Sequence, residues 1–352
     1  RAGERFPPPF AISPDGRTLA VARPDGRVEL IDAETLRLTG GFEAFDGRPA
    51  VAIEYAPDGG TLALAEVGGG VGVWDAASET RIGALLRAPR GPVEPTFHTE
   101  EGLANPHNVQ ALAFGQGDLL AAAEVGGAVR IWDLGRRQLL RAPLRLPPSV
   151  LGLAFSPDGS QLAIPFGALS NEGPNEVEIL DVGSGERVAR LSPDGEVRSV
   201  AFSPDGSLLA GGEVDGGALL WATDGWRRVG GPLALGNSSA LEVEFSPDGH
   251  TLATSHSDHS AALWDVASQE PIGPRLPATA ADPGGELSVS TRFTPDGARL
   301  FVASGAGRAI RWEVDPAAWR RQACRLMGGD LTPEEWEEIA PEHDYIEVCP
   351  SG

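Results

Sequence analysis

Two nearly identical stretches decide the fold: "LAEVGGGVGVWDAAS" at residues 64–78 and "AAEVGGAVRIWDLGR" at residues 122–136. The copies begin 58 residues apart, and a Trp-Asp pair follows the glycine-rich centre of each one. Self-similarity at a recurring period is the sequence signature of a repeat architecture. We therefore expect a chain that is built from copies of one unit.

The turn "SPDG" sets the length of that unit. In five units the first residue of the turn, or its equivalent, stands 18 residues before the Trp-Asp position: Ser13 and Ile31, Ala56 and Trp74, Ser203 and Trp221, Ser246 and Trp264, Thr294 and Trp312. In "FGQGDLL" the turn is one residue short, so that the step from Gly115 to Trp132 is 17. The step from Ser156 to Leu180 is 24, because "PFGALSNEGPNE" adds six residues. These edits give seven units.

Each unit has the pattern of a small antiparallel sheet. An alternating apolar strand leads into the Pro-Asp-Gly turn, a strand with "LA" follows, and a third strand ends in Trp-Asp before a short fourth strand such as "TRIGALL". Proline presets φ for the turn, and glycine accepts the positive φ that other residues resist. Short strands with evenly spaced turns and no helical pattern between them predict an all-β, seven-bladed β-propeller.

At these residues the chain resembles the WD-repeat family, over roughly residues 6–314. It lacks the Gly-His pair that the family places before each blade, and the aspartate of the second turn survives plainly only as Asp25, Asp215 and Asp258. We therefore expect blades held mainly by apolar packing, without the family's usual His-Ser-Asp-Trp hydrogen-bond network. The expected domains are a propeller at 1–314 and a helical C-terminal tail, packed on it, at 315–352.

The tail predicts two short helices, one starting at Asp315-Pro316 and one capped by Thr332. The stretch "DPAAWRRQACRL" with "DLTPEEWEE" and a final "CP" resembles the tail of WD-repeat modules in actinobacterial signalling proteins with a STAND-type nucleoside-triphosphatase. That resemblance implies a C-terminal sensor or partner-binding module, with ATPase chemistry outside this chain. The outer strand of the seventh blade is either "DYIEVC" at 344–349, which we favour slightly, or the segment before Phe6.

Composition limits the partners. The 352 residues carry a formal net charge of -22, and their basic residues are all arginine. Such a surface repels phosphate backbones, so we expect no direct nucleic-acid binding. No apolar run reaches the roughly 18 residues of a membrane span. The chain begins at Arg1, and we expect it to be part of a longer protein.

Cys324 and Cys349 are the two cysteines of the chain. We expect them to form a disulfide that ties the tail together, and two separate reduced thiols are the alternative. The location is open: bacterial cytoplasm, or an extracytoplasmic space if the disulfide forms. Two cysteines without nearby histidines make a poor zinc site, and we expect neither a metal nor another cofactor.

Loop length points to a binding face. The three longest loops, 87–108, 165–176 and 276–288, fall on one face of a propeller, and binding commonly resides on loops that a rigid scaffold positions. The end of each second strand reaches the same face, which gives these candidate partner-binding residues: Arg23, Glu66, Glu124, Phe166, Glu213, His256 and Ser304. The three carboxylates either receive a basic segment of a partner or are solvated turn residues of an acidic protein.

The sequence offers only weak candidates for a metal site or a catalytic site. His98 and His107 lie near Glu100 and Glu101, but their spacing is irregular, and "SHSDHS" at 255–260 fits a polar turn better than a hydrolytic triad. Glu244 and Arg292 fall in neighbouring blades and are expected to pair structurally.

The sequence favours a non-catalytic protein-interaction or sensor module, monomeric as an isolated domain. One alternative is an enzyme that binds a small molecule or metal at the mouth of the central channel. It predicts acidic residues and histidines with perturbed pKa values around a pocket. A structural oligomerisation scaffold is another.

Overall fold

The computed structural model of the chain describes residues 9–87, 97–99, 102–104, 108–147, 150–167, 175–214, 216–236, 238–277, 289–304, 308–315 and 332. In these residues it is an all-β propeller of seven blades, as the turn spacing predicts. Nearly all of the predicted tail lies outside them, as do Cys324 and Cys349, so the tail domain and the disulfide stay predictions. The described part of blade 7 has three strands.

Each blade is an antiparallel sheet whose strands are hydrogen-bonded in chain order. The first strands of blades 1 to 7 are Phe10–Ile12, Ala50–Tyr55, Val109–Phe114, Ala154–Phe155, Val197–Phe202, Ala240–Phe245 and Val289–Phe293. The second strands are Thr18–Ala22, Thr61–Glu66, Leu119–Glu124, Gln161–Phe166, Leu208–Glu213, Thr251–His256 and Arg299–Ser304.

The third and fourth strands complete the blades. The third strands are Arg27–Asp32, Val71–Asp75, Ala128–Asp133, Glu176–Asp181, Gly217–Ala222, Ser260–Asp265 and Arg308–Glu313. The fourth strands of blades 1 to 6 are Leu38–Glu43, Thr80–Arg81, Gln138–Leu139, Arg187–Leu191, Arg227–Arg228 and Leu276–Pro277. In blade 3, Leu144–Arg145 also pairs with the third strand, and Phe97–Thr99 pairs with Gly102–Ala104 in a separate hairpin between blades 2 and 3.

Antiparallel order defines two faces of the disc. The turn face carries the turns between first and second strands, together with those between third and fourth strands. The loop face carries the turns between second and third strands and the connections from one blade to the next. Every second strand therefore ends on the loop face, and Arg23 directly follows the end of its strand.

Apolar side chains fill each junction between neighbouring blades. Seven clusters of buried residues occur in the described part of the chain. Six of them join the second and third strands of one blade to the sheet of the next, and the seventh joins the second strand of blade 7 to blade 1. The ring closes where Phe301 of blade 7 packs with Phe10 and Leu19 of blade 1. Since full burial of one such side chain contributes roughly 1.5–3 kcal/mol, apolar packing holds the blades together, as the sequence predicts.

The turns on the turn face also pack against one another. The site where a Cβ would project from Gly206 lies 3.5 Å from Cδ of Pro157 in the preceding turn, and that of Gly59 lies 3.4 Å from Pro14. The same contact joins Gly249 to Pro204, Gly297 to Pro247 and Gly16 to Pro295. The turn glycine of each of these blades therefore lies on the turn proline of the preceding blade.

A hydroxyl group organises most of these turns. Ser203 Oγ donates to Asp205 at 2.6 Å and accepts the backbone N–H of Leu208 at 2.9 Å. This hydrogen bond is the largest cause of the lowered pKa of Asp205. Blades 2 and 3 have no such hydroxyl, because Ala56 and Gly115 stand at the equivalent position.

Exchanging the hydroxyl between blades tests its contribution. Ser203 is 2% exposed, so Ser203→Ala removes a buried hydrogen bond and should lower the free energy of unfolding by about 1–2 kcal/mol in urea titrations. Ala56→Ser supplies the missing donor in blade 2 and should leave stability unchanged or raise it. Equal destabilisation by both substitutions would contradict this role of the hydroxyl.

Candidate functional site

The three glutamates of the loop face are buried. Glu66 is 1% exposed, Glu124 is 5% exposed and Glu213 is 3% exposed. The expectation of an open acidic rim is therefore wrong, and so is the alternative of solvated turn residues. Spacing in the sequence places these residues at strand ends but does not show whether their side chains are buried. A buried carboxylate needs a partner within the protein, and spacing does not identify that partner.

Glu66 is held by two arginines from separate segments. Arg48 Nη2 lies 2.7 Å from one carboxylate oxygen, and Arg87 Nη2 lies 2.8 Å from the other. Both arginine side chains are about half exposed, at 49% and 47%. The surface at blade 2 therefore presents guanidinium groups, with the carboxylate beneath them.

Glu124 and Glu213 are satisfied in different ways. Glu124 forms an ion pair with Arg130, and both side chains are 6% exposed. Burial, and secondarily the charge of Arg145, lowers the pKa of Arg130 to about 10. Glu213 accepts the backbone N–H of Gly195, in the connection from the preceding blade. These carboxylates thus form internal contacts that stabilise the segments of the loop face.

The other candidates differ in exposure. Phe166 is 1% exposed and His256 is fully buried. Arg23 is 39% exposed on its side chain and contacts Glu29 at 2.9 Å. The backbone of Ser304 ends the second strand of blade 7 and pairs with Arg308. Arg23 is the one member of this set with a described side chain substantially open to solvent.

Blade 6 contains a buried hydrogen-bond network related to the one that the sequence led us not to expect. Thr254 Oγ1 accepts Trp264 Nε1–H at 3.0 Å and lies 2.8 Å from His256 Nε2. Burial, together with the charge of Arg275, lowers the pKa of His256. Here the histidine comes from the end of the second strand. The missing Gly-His pair therefore does not exclude a histidine-containing network in this blade. "SHSDHS" therefore supplies a structural histidine and a turn.

Charged side chains on the first strands of blades 2, 6 and 7 interact with one another around the ring axis, and we call them the axial cluster. Arg292 forms an ion pair with Glu242 and not with the predicted partner Glu244. Glu242 also accepts Thr291 N–H at 3.0 Å, and Glu244 accepts Phe293 N–H at 3.1 Å. The two glutamates of blade 6 thereby satisfy unpaired edge groups of blade 7. Sequence reasoning missed Glu242.

Burial in this cluster perturbs two carboxyl groups. It raises the pKa of Glu54 to about 7 and that of Glu244 to about 8, against the opposing attraction of Arg292. Glu242, and secondarily Glu244 and Glu54, raise the pKa of Arg292 in spite of its burial. Glu54 and Glu244 are both half-buried.

Chemistry at a metal is not indicated by the described residues. Among them no group of three or more histidine, cysteine, aspartate or glutamate side chains could hold a metal ion. His98 lies on the described backbone of the separate hairpin, whereas His107, Glu100 and Glu101 lie outside the described residues. No helix in the described ranges is long and apolar enough to cross a membrane.

Removing Glu66 should destabilise the chain more than removing an exposed partner. Glu66→Ala leaves Arg48 and Arg87 without their buried counter-charge, and we expect a loss of about 2 kcal/mol in the free energy of unfolding. Glu29→Ala breaks the exposed pair with Arg23 and should cost under about 1 kcal/mol. Equal losses of unfolding free energy in urea titrations would show that the ion pairs of Glu66 contribute no more than an exposed pair.

The axial cluster should make stability depend on pH. The folded-state pKa of Glu244 is raised from 4.5 to about 8. The stabilisation that its protonated carboxyl group contributes to the folded state is therefore fully present below pH 4.5 and is lost as the pH rises through 8. Glu244→Gln should reduce the fall in unfolding free energy between pH 5 and pH 9 by about 2–4 kcal/mol. The exposed control Glu186→Gln should keep the wild-type profile. A fall that Glu244→Gln leaves unchanged would contradict the assignment.

Comparison with known proteins agrees with the repeat. Residues 185–222 and 235–265 match the family model described as "WD domain, G-beta repeat". Each match ends at the third strand of its blade, one with Trp221-Ala222 and one with Trp264-Asp265.

Parts of the chain are similar to two known proteins. The chain is 28% identical over 173 residues to the WD repeat-containing protein VIP3 of Arabidopsis thaliana, a match of 43% of this chain and 52% of that protein. It is 42% identical over 57 residues to the Periodic tryptophan protein 2 homolog of Schizosaccharomyces pombe, a match of 16% of this chain and 7% of that protein. The chain thus spans about half of the first relative and a small part of the second. The matched segments are thus similar to WD repeats, and the described blades form a seven-bladed propeller.

Proposed function

We propose that the chain is a non-catalytic protein-interaction or sensor module that binds its partner on the loop face. WD-repeat propellers generally act as scaffolds for other proteins, which favours binding over the enzyme alternative. The polar groups around the axis also support this choice, since Glu242 accepts Arg292 and the N–H of Thr291, and Glu244 accepts the N–H of Phe293.

One exposed patch carries the proposal. Around the buried Glu66, the half-exposed Arg48 and Arg87 lie beside Val51 and Val67, which are 37% and 41% exposed. A β-bulge between Ala50 and Ala52 displaces Val51 from the regular pairing, and Val67 N–H donates to Pro49 O at 3.4 Å. We call Arg48, Val51, Val67 and Arg87 the blade-2 patch. Protein interfaces are enriched in arginine and have apolar centres, which this patch combines.

The exposed groups of this patch favour a different partner segment from the basic one that the sequence suggested. A basic segment cannot reach Glu66, because its two arginines cover it. The exposed guanidinium groups favour a partner segment with aliphatic and acidic side chains at this position.

The wider context is a further part of the proposal. We propose that the module is the C-terminal part of a larger bacterial signalling protein, such as a STAND NTPase, and that it is monomeric when isolated. The tail sequence from Asp315 onward supports this context by resemblance. For location we propose the bacterial cytoplasm, or an extracytoplasmic space if mass spectrometry of the unreduced cellular protein detects a Cys324–Cys349 disulfide.

Charge placed in the blade-2 patch should abolish partner capture. Proteins retained from a lysate of the source organism are compared between wild type and Val51→Glu/Val67→Glu, with folding checked by circular dichroism. The matched control Leu38→Glu/Val188→Glu changes two exposed apolar side chains of fourth strands, which are 64% and 47% exposed.

We expect a specific protein that wild type and control retain and the patch variant loses at least tenfold, and that binds the purified chain. A protein retained equally by all three, or none at all, would contradict loop-face binding through this patch.

A further inference from the structure

The ring of turns on the turn face is interrupted at blade 3. The position of Gly117 in its turn matches that of the glycines that lie on a preceding proline, but no atom lies within 4 Å of the site where its Cβ would project. No turn glycine of blade 3 therefore lies on Pro57 of blade 2. On the other side Gln116 replaces the proline and still contacts Gly159 of blade 4, at 2.9 Å from its Cβ site.

The cause is the missing residue in "FGQGD". In a regular turn the N–H of Ser156 bonds to the carbonyl of Gln161, five residues on, whereas the N–H of Gly115 bonds to Leu119, four residues on, at 2.9 Å. The shorter turn does not extend over its neighbour. A cleft of about 390 Å³ opens between the turns of blades 2, 3 and 4. We call this the turn-face cleft.

The lining of the cleft combines apolar and acidic groups. Pro57, Phe114, Leu134 and Phe155 supply apolar surface, and all four keep some solvent exposure. The exposed carboxylates of Asp58 and Asp118 lie at its edge. Unlike Asp205 in blade 5, Asp58 has no turn hydroxyl as a donor, because Ala56 replaces the serine.

We propose that the turn-face cleft is a second binding site, which takes a peptide segment of another protein with a large apolar side chain next to an arginine or lysine. The apolar side chain packs between Phe114 and Phe155, and the cation lies near Asp58 and Asp118. The net charge of -22 attracts such a segment at long range. A volume of this size falls within the range of roughly 300–1,000 Å³ that is usual for ligand sites.

This site is independent of loop-face binding, since it lies on the opposite face of the disc. Substitutions in the blade-2 patch should leave it unchanged, so the two proposals can fail separately.

A selection from random peptides tests the site and needs no identified partner. Twelve-residue peptides displayed on phage are selected on the immobilised wild-type chain. They are counter-selected on a turn variant in which Gly115, Gln116 and Gly117 are replaced by Ser-Pro-Asp-Gly. This variant restores the turn of the regular blades and should place a glycine on Pro57. The added Cβ at position 115 would lie 3.1 Å from the ring of Phe155, so a thermal melt verifies that the fold is preserved.

Enriched peptides should place arginine or lysine within two residues of leucine, isoleucine, phenylalanine or tryptophan. By fluorescence anisotropy, a synthetic copy should bind wild type with a micromolar Kd. It should bind the turn variant and Asp58→Asn/Asp118→Asn at least tenfold more weakly. The matched control Glu186→Gln/Asp224→Asn removes two exposed charges of other turn-face turns and should change the Kd by less than twofold.

Three outcomes would overturn the proposal. They are the absence of any enriched sequence, peptides that bind wild type and both cleft variants equally, and a wild-type dimer in sedimentation that the turn variant dissociates. The last result would assign the cleft to a second copy of this chain.

Discussion

The packing of each sheet on its two neighbours is the constraint on which the rest of the structure depends. A propeller has no separate core: the second and third strands of blades 2 to 6 are buried along almost their whole length, and the ring must close on itself. The sequence meets this demand with leucine and alanine in the second strands, for example in blades 2, 3 and 6, where five of the six strand residues are buried. Closure uses Phe301 against blade 1 and Arg311, which donates to the carbonyls of Ala33 and Glu34.

Buried charge follows from the same geometry. Where strands end or present an unpaired edge at the axis, backbone groups need partners that the sheet does not supply. Glu213 provides one for Gly195, and Glu242 and Glu244 provide them for Thr291 and Phe293. An ionised carboxylate in such a place is itself costly without a counter-charge, and arginines satisfy it at Glu66, Glu124 and Glu242. The acidic residues of the strand ends are thus part of the scaffold.

Sequence periodicity could predict the number of blades, the strand order and the face of each strand end, because turns at fixed spacing determine all three. It could not predict exposure at those ends. Arg48 and Arg87 reach Glu66 from segments 18 and 21 residues away in the chain, and no spacing rule connects them. The short turn at Gly115 was visible in the sequence. Its consequence was not, since the contact of a turn glycine with the preceding blade exists only in the folded ring.

Carboxyl footprinting measures the central claim directly, because it reports which acidic side chains are open to solvent. The folded chain is treated with a water-soluble carbodiimide and glycine ethyl ester, and modified residues are identified by mass spectrometry. We predict that Glu66, Glu124 and Glu213 stay unmodified while Asp58 and Asp118 react, and that all five react after unfolding in urea. Modification of the three glutamates in the folded chain at the rate of Asp58 would contradict the account, since they would then form an open acidic rim.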